Sequence, residues 1–317
     1  MQKLLFRRNI FYALFVMLLI FLQGSSALAA QATTLVSEET ITRGAVLQHH
    51  IVKTAAGTAK VYVTKINLQD PYIKIDVLYG INGKLGKNQS VDKMAEENGA
   101  IAAINGDFFD MSSGSLFGPL MHEGEWITTP TTTTEGLSGF ALTSSGQPDI
   151  LSFSFQGSII TENGQAFSVA SINKTYSIAN KINIFNSSWD ADYLPGNSLD
   201  SYVYVVVEDD EVDDILINTK PNRIPKDGYV ILGHGLGANF LLENVNIGEK
   251  IEFDFQMDQG DDWQFVIGAH TPLVENGVRA KFTRDIPGYH ARTAIGYSKD
   301  KKYLYWLGVE NSNTSTE

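Results

Sequence analysis

Three short stretches carry the residues best able to do chemistry. The first is Ala100-Ile101-Ala102-Ala103-Ile104-Asn105-Gly106-Asp107-Phe108-Phe109-Asp110. It reads as a buried strand ending in a tight Asn-Gly turn, where a polar group is held rigidly and stays reachable. Asn105 could bond a sugar hydroxyl or an amide, and Asp107 could face a developing positive charge. An ordinary turn, with Asn105 bonded to its own backbone, accounts for the same residues equally well. The second stretch runs from Tyr229 through Gly233-His234-Gly235-Leu236-Gly237 to Asn239. A strand, a glycine loop and a helix start would aim free N–H groups and a helix dipole at an anion. The glycines are spaced G-x-G-x-G, which is not the dinucleotide fingerprint, and a plain strand-to-helix connection explains them better. The third is Tyr289-His290-Ala291-Arg292-Thr293-Ala294-Ile295-Gly296. An Arg entering an apolar strand is costly to bury without an anion. A phosphate or carboxylate ligand suits its bidentate geometry, and so does a structural ion pair.

Other chemistries find less support. Six histidines are present, and none forms a compact ligand spacing with another, so no metal site is expected. The acidic runs Asp209-Asp210-Glu211 with Asp213-Asp214, and Asp258 with Asp261-Asp262, could bind calcium. Neither follows the EF-hand loop, and solvated turns between strands explain them better. There is no G-x-S-x-G elbow, and the absence of Cys excludes a thiol nucleophile.

The elements that must position these residues are mainly strands. Ile73, Ile75, Val77 and Tyr79 alternate with Lys74, Asp76 and Leu78; Leu151, Phe153 and Phe155 alternate with serines; Ile251, Phe253 and Phe255 alternate with polar residues. This is the period of half-buried strands. Tyr202–Val207 and Tyr303–Leu307 are continuous apolar runs, suited to strands covered on both faces. Two helices are expected: one after Ser90 carrying Val91, Met94, Ala95 and Asn98, and one carrying Ala238, Leu241, Leu242 and Val245. The expected fold is a single α+β domain, mostly antiparallel sheet with a few helices. Residues 31–59 read as a linker with the first strands, and 60–317 as the domain.

The N-terminus reads as an export signal. Lys3, Arg7 and Arg8 precede an apolar stretch from Ile10 to Leu22, and Ala27-Leu28-Ala29 offers small residues for cleavage. That stretch covers about 20 Å as a helix, short of a hydrocarbon core of about 30 Å. Removal of residues 1–30 takes away three positive charges and moves the net charge from −12 to −15. So acidic a chain is unsuited to nucleic acid, and no later segment is apolar enough to span a membrane. An exported chain of 317 residues without Cys fits a bacterial, and especially a Gram-positive, surface.

Taken in order, these motifs resemble the phosphodiester glycosidase family, the bacterial relatives of N-acetylglucosamine-1-phosphodiester alpha-N-acetylglucosaminidase. The resemblance lies in Met94-Ala95 with Gly99–Phe109, Gly118-Pro119-Leu120 with Gly124-Glu125, Asp227–Val230 leading to Gly233-His234-Gly235, Ile267–Val274 with Asn276-Gly277, and Arg292–Gly296. It covers roughly residues 60–310. It implies hydrolysis of a sugar C1–O–phosphate bond in an exopolysaccharide or cell-wall glycan, without a cofactor. In that reading Asp107, Arg292, His234 and His270 are catalytic, and Asn105, Gly106, Gly233, Gly235, Gly237 and Thr293 bind substrate. The family continues into an Asn-Leu-Asp-Gly-Gly-Gly-Ser segment that these residues do not contain, so the resemblance implies a domain lacking its C-terminal part. The alternative is a catalytically incomplete glycan-binding protein of the cell surface, with Tyr193, Trp189, Trp126 and Trp263 as stacking faces.

Overall fold

The computed structural model describes residues 32–54, 57–130, 137–176, 178–196, 201–258, 262–282, 288 and 290–310. The stretch read as an export signal and Tyr289 lie outside the described residues. Among the described residues the strands form three large antiparallel-rich sheets and one two-stranded hairpin. The largest has seven strands: β8 (Phe155–Thr161), β9 (Ala166–Ile172), β10 (Ile182–Asn186), β11 (Tyr202–Glu208), β12 (Glu211–Ile217), β13 (Gly228–His234) and β14 (Ile251–Met257), in the order β12-β11-β13-β10-β9-β8-β14. Only its β9–β10 pair is parallel.

The continuous apolar run of β11 is explained by burial on both faces. Tyr202, Tyr204 and Val206 enter one hydrophobic cluster, while Val203, Val205 and Val207 enter another. The second cluster is closed by helix α2 (Leu236–Asn244), whose Ala238 and Leu241, with Val245 just beyond it, are buried. Leu242, counted on the same apolar face in the sequence, instead stands 48% exposed. The acidic Asp209-Asp210 pair forms the two-residue turn between β11 and β12, both residues having positive φ, as solvated hairpin turns require.

A second sheet is formed by β4 (Leu120–His122), β5 (Glu125–Thr128), β6 (Gly139–Thr143), β7 (Pro148–Leu151) and β15 (Trp263–Gly268), in the order β5-β4-β15-β6-β7. The third joins the two ends of the chain: β1 (Ala32–Thr42), β2 (Ala45–Thr54) and β3 (Gly57–Asn67) form a meander, and β19 (Tyr303–Val309) pairs β3 and β18 (Arg292–Tyr297). Of the 31–59 stretch expected to hold a linker and the first strands, Ala32–Thr42 is already a strand. Its apolar pattern is weak because nine of its eleven residues are exposed, and pairing with β2, along its backbone and from Gln48 to Glu38, holds it in the sheet. The hairpin of β16 (Val274–Glu275) and β17 (Val278–Arg279) turns at Asn276-Gly277.

Ile73–Tyr79 is corrected in a different way. Ile73, Ile75 and Val77 point inward as their alternation demands, but the segment belongs to no sheet. Alternation reports side-chain burial; it does not report a ladder partner. Helix α1 (Val91–Glu97) forms where Ser90 announced it, yet buries no residue. Among the described residues no helix is long and apolar enough to cross a membrane.

Replacing the fully buried Ile231 of β13 with Ala should cost about 2–5 kcal/mol. Leu242→Ala should stay within about 0.5 kcal/mol. Urea denaturation of the two variants checks this assignment of faces.

Candidate functional site

The site begins at the end of α1. Gly99, with φ +64°, donates to Glu96 O, and Ala100 donates to Ala95 O, the Schellman arrangement that ends a helix. The chain then runs through 100–106 outside any sheet, with Ile101 67% exposed. The buried strand expected here is absent. Single bonds hold the segment instead: the Thr293 hydroxyl donates to Asn105 O, and Phe117 N–H donates to Phe108 O. The tight Asn-Gly turn is also corrected, since the left-handed residue is Asp107, at φ +57°. Gly106 packs closely on Ile267: a Cβ there would lie 2.6 Å from Ile267 Cδ1, and that side chain would have to shift to admit it.

The Asp107 carboxylate occupies a slot made by two glycines. A Cβ on Gly118 would lie 2.6 Å from Gly268 Cα, and one on Gly268 would lie 2.6 Å from Asp107 Cγ. Removing two side chains at facing positions leaves room for one carboxylate. Gly118 N–H donates to it at 2.9 Å and Phe108 N–H at 2.6 Å. Desolvation nevertheless dominates and pushes the Asp107 carboxyl up to about 6, against the pull of Lys174 and the two amides.

Lys174 is 1% exposed, on the connection between β9 and β10. Its ammonium donates to the carbonyls of Leu116 at 2.6 Å and Gly118 at 3.0 Å, with Phe117 O at 3.4 Å. Burial lowers the Lys174 ammonium to about 7, opposed by the charge of Asp107. The neighbouring Tyr176 hydroxyl also donates to Leu116 O, and Thr175 N–H to the Ser115 hydroxyl. The connection is anchored by Asn173, fully buried, whose amide donates to Ile127 O and Asn186 Oδ1.

Of the residues singled out in the sequence, Asn105, Gly106, Asp107 and Thr293 come together. His270 adjoins them through Phe108, ring centroids 5.4 Å apart, with its Nδ1 2.7 Å from the Thr271 hydroxyl. Arg292 opens β18, next to Thr293; it is exposed, not buried in an apolar strand, and bonds Ala291 O. The glycine loop stands apart. His234 Nδ1 accepts from Asn180 N–H, and Asn180 Oδ1 accepts from Leu236 N–H at the start of α2. Gly233 and Gly237 are packing glycines: a Cβ on Gly237 would meet Lys181 O at 2.3 Å, and one on Gly233 would meet Gly237 O at 2.8 Å. Gly235 takes φ +53° as the N-cap of α2. Its amides belong to the strand-to-helix connection rather than to the Asp107 slot.

Of the aromatic stacking faces, Trp189 is corrected: it is fully buried against Phe185. Trp126 and Trp263 are half-buried and pack on Phe153, and Tyr193 is 38% exposed. A cavity of about 380 Å³ lies between Asp76, Tyr79, Glu97, Asn98, His122 and Glu123, and includes none of the expected site residues. Among the described residues no three His, Cys, Asp or Glu side chains are grouped to hold a metal ion. Sequence reasoning missed Lys174, Gly118 as a slot residue and Gly268. A single Lys after an apolar strand gives no local signal.

No family model matches the chain, and no curated protein matches it. Two solved structures share its fold. A hypothetical protein from Synechocystis superposes with a TM-score of 0.74 at 19% identity, over 91% of this chain and 55% of that one. A protein of Burkholderia pseudomallei K96243 named as exported gives a TM-score of 0.70 at 12% identity, over 90% of this chain and 85% of that one. This chain therefore spans about half the length of the Synechocystis protein.

The pair makes a pH-dependent contribution whose sign follows from the two shifts. Asp107, raised to about 6, stabilises most below its unfolded value of about 3.9 and loses that contribution as pH rises through 6. Lys174, lowered to about 7, stabilises most above its unfolded value of about 10.4 and loses that contribution as pH falls through 7. The double variant Asp107→Asn/Lys174→Met should therefore compare best with the parent between pH 6 and 7. The difference should shift in favour of the parent below about pH 4 and above about pH 10. Guanidinium melts across this range check it.

Proposed function

We propose that this chain is an exported phosphodiester glycosidase, acting on a sugar-1-phosphodiester of the N-acetylglucosamine type in an exopolysaccharide or cell-wall glycan. The observation that carries the reading is the bond from the Thr293 hydroxyl to Asn105 O. It joins two of the ordered motifs across 188 residues and sets Arg292 beside the segment that bears Asp107. The Burkholderia structure named as exported, together with the charge and apolar pattern of residues 1–30, supports the location.

A phosphodiester anion leaves far more readily than an alcohol, so the reaction asks little of a general acid. It asks for stabilisation of an oxocarbenium-like sugar and of the departing charge. Asp107, as a carboxylate, faces the anomeric carbon; Arg292 takes the phosphate; Asn105 holds a sugar hydroxyl. His270, against Phe108 and so next to Asp107, is placed as the proton carrier better than His234, which stands at the end of β13 before α2. The glycine loop has no part in this scheme.

Release of free sugar from an N-acetylglucosamine-1-phosphodiester tests the proposal. Because Asp107 works ionised, kcat/KM should rise with pH through about 6. Asp107→Asn should lower kcat by about 10²–10³-fold. Gly268→Ala, which removes no functional group, should cost a similar factor by displacing the carboxylate. Arg292→Ala leaving hydrolysis unchanged would refute the phosphate assignment, and saturable glycan binding without turnover would replace the enzyme by a binding module.

A further inference from the structure

We propose that Lys174 is the positioning residue for Asp107: it pins the turn whose amide holds the carboxylate, and its charge keeps that carboxylate ionised. The inference rests on the reading of Asp107 as the working carboxylate.

Gly118 is the shared element. Its N–H donates to Asp107 at 2.9 Å, and its carbonyl accepts from Lys174 at 3.0 Å. The ammonium has three donors, and the carbonyls of Leu116, Phe117 and Gly118 lie around it. Lys174 therefore folds the 116–118 turn about one buried cation and presents its last amide to the carboxylate. A buried ammonium is expensive, and an apolar side chain of similar length would fill the space at lower cost. What the apolar side chain could not do is bring a positive charge beneath Asp107.

The other ionisable groups around the pair are otherwise engaged. Asp110, on the same segment as Asp107, accepts from the backbone of Ser112 and Ser113 and from the Ser112 hydroxyl. Tyr176, beside Lys174, donates to Leu116 O. His270, beyond β15, contacts Thr271 and Phe108, and Arg292, on β18, bonds Ala291 O. The charge that acts on Asp107 is that of Lys174, and the charge that acts on Lys174 is that of Asp107. Two such groups titrate as one unit.

The test is NMR titration of the whole protein, following the Asp107 carboxyl carbon and the Lys174 Nζ. In the parent chain both signals should show linked inflections between about pH 5 and 8. In Lys174→Met the Asp107 midpoint should rise by about one pH unit or more, a tenfold change in its ionisation constant. A Lys174 that stays charged beyond about pH 9, with Asp107 titrating in one independent step, overturns the proposal; this measurement needs no variant to fold. So does a Lys174→Met protein whose Asp107 midpoint is unmoved. Activity separates the two readings. If the titrations are linked but no sugar is released, the proposal stands and the glycosidase reading falls. If sugar is released with a pH profile that Lys174→Met does not shift, the glycosidase reading stands and the proposal falls.

Discussion

The burial of one ammonium and one carboxylate against the same glycine sets the terms for the centre of this protein. A charge withdrawn from water must be met by dipoles or by an opposite charge. Lys174 meets three carbonyls and Asp107 meets two amides. All these partners lie on the 107–118 loop, while Lys174 itself comes from the β9–β10 connection, so satisfying the pair ties the segment that leads into β4 to the seven-stranded sheet at one point. The connection is short and begins with a fully buried Asn whose bonds reach Ile127 and Asn186. Its position is set from both ends, and a small shift of either sheet would leave a buried polar group without a partner.

Around that point the architecture is conservative. The inner strands β11 and β13 are apolar on both faces, and each face has its own cluster, to which β10 also contributes on both sides despite its buried Asn183. Such a sheet is a rigid platform. The chemistry-bearing residues lie outside its strands: Lys174 on the connection between β9 and β10, Gly268 at the end of β15 in the second sheet, and Asp107 on a segment that belongs to no sheet. Asp107 in left-handed geometry and the facing glycines at 118 and 268 are local departures from regular structure, of the kind that concentrate where side chains must be aimed.

The residues whose meaning was legible beforehand share a property: their neighbours in the chain are also their neighbours in space. The two-sided burial of Tyr202–Val207, the start of α1 after Ser90 and the turn at Asp209-Asp210 are all local. Where the reading failed, the deciding partner was remote. Ile73–Tyr79 and Ala100–Ile104 have strand-like composition and no ladder, because pairing depends on which edge lies alongside. The strand at 32–42 has almost no apolar pattern and pairs all the same. The Gly233–Gly237 loop has anion-site spacing, but its glycines make room for Lys181 and for the approach of α2.

The sequence by itself determined an acidic, Cys-free chain rich in half-buried and fully buried strands, and it put Asn105, Asp107 and Thr293 among the residues to watch. Those inferences rest on charge, composition and short periods, which are carried by the chain without reference to any fold. Only the tertiary structure decided that Asp107 lies in a slot between Gly118 and Gly268, that Lys174 bonds the carbonyl of the same Gly118 whose amide holds it, and that Thr293 reaches Asn105. A glycine chosen for the space it vacates, or a lysine chosen for the carbonyls it gathers, has no local signature. Its purpose exists only once distant segments have come within hydrogen-bonding distance.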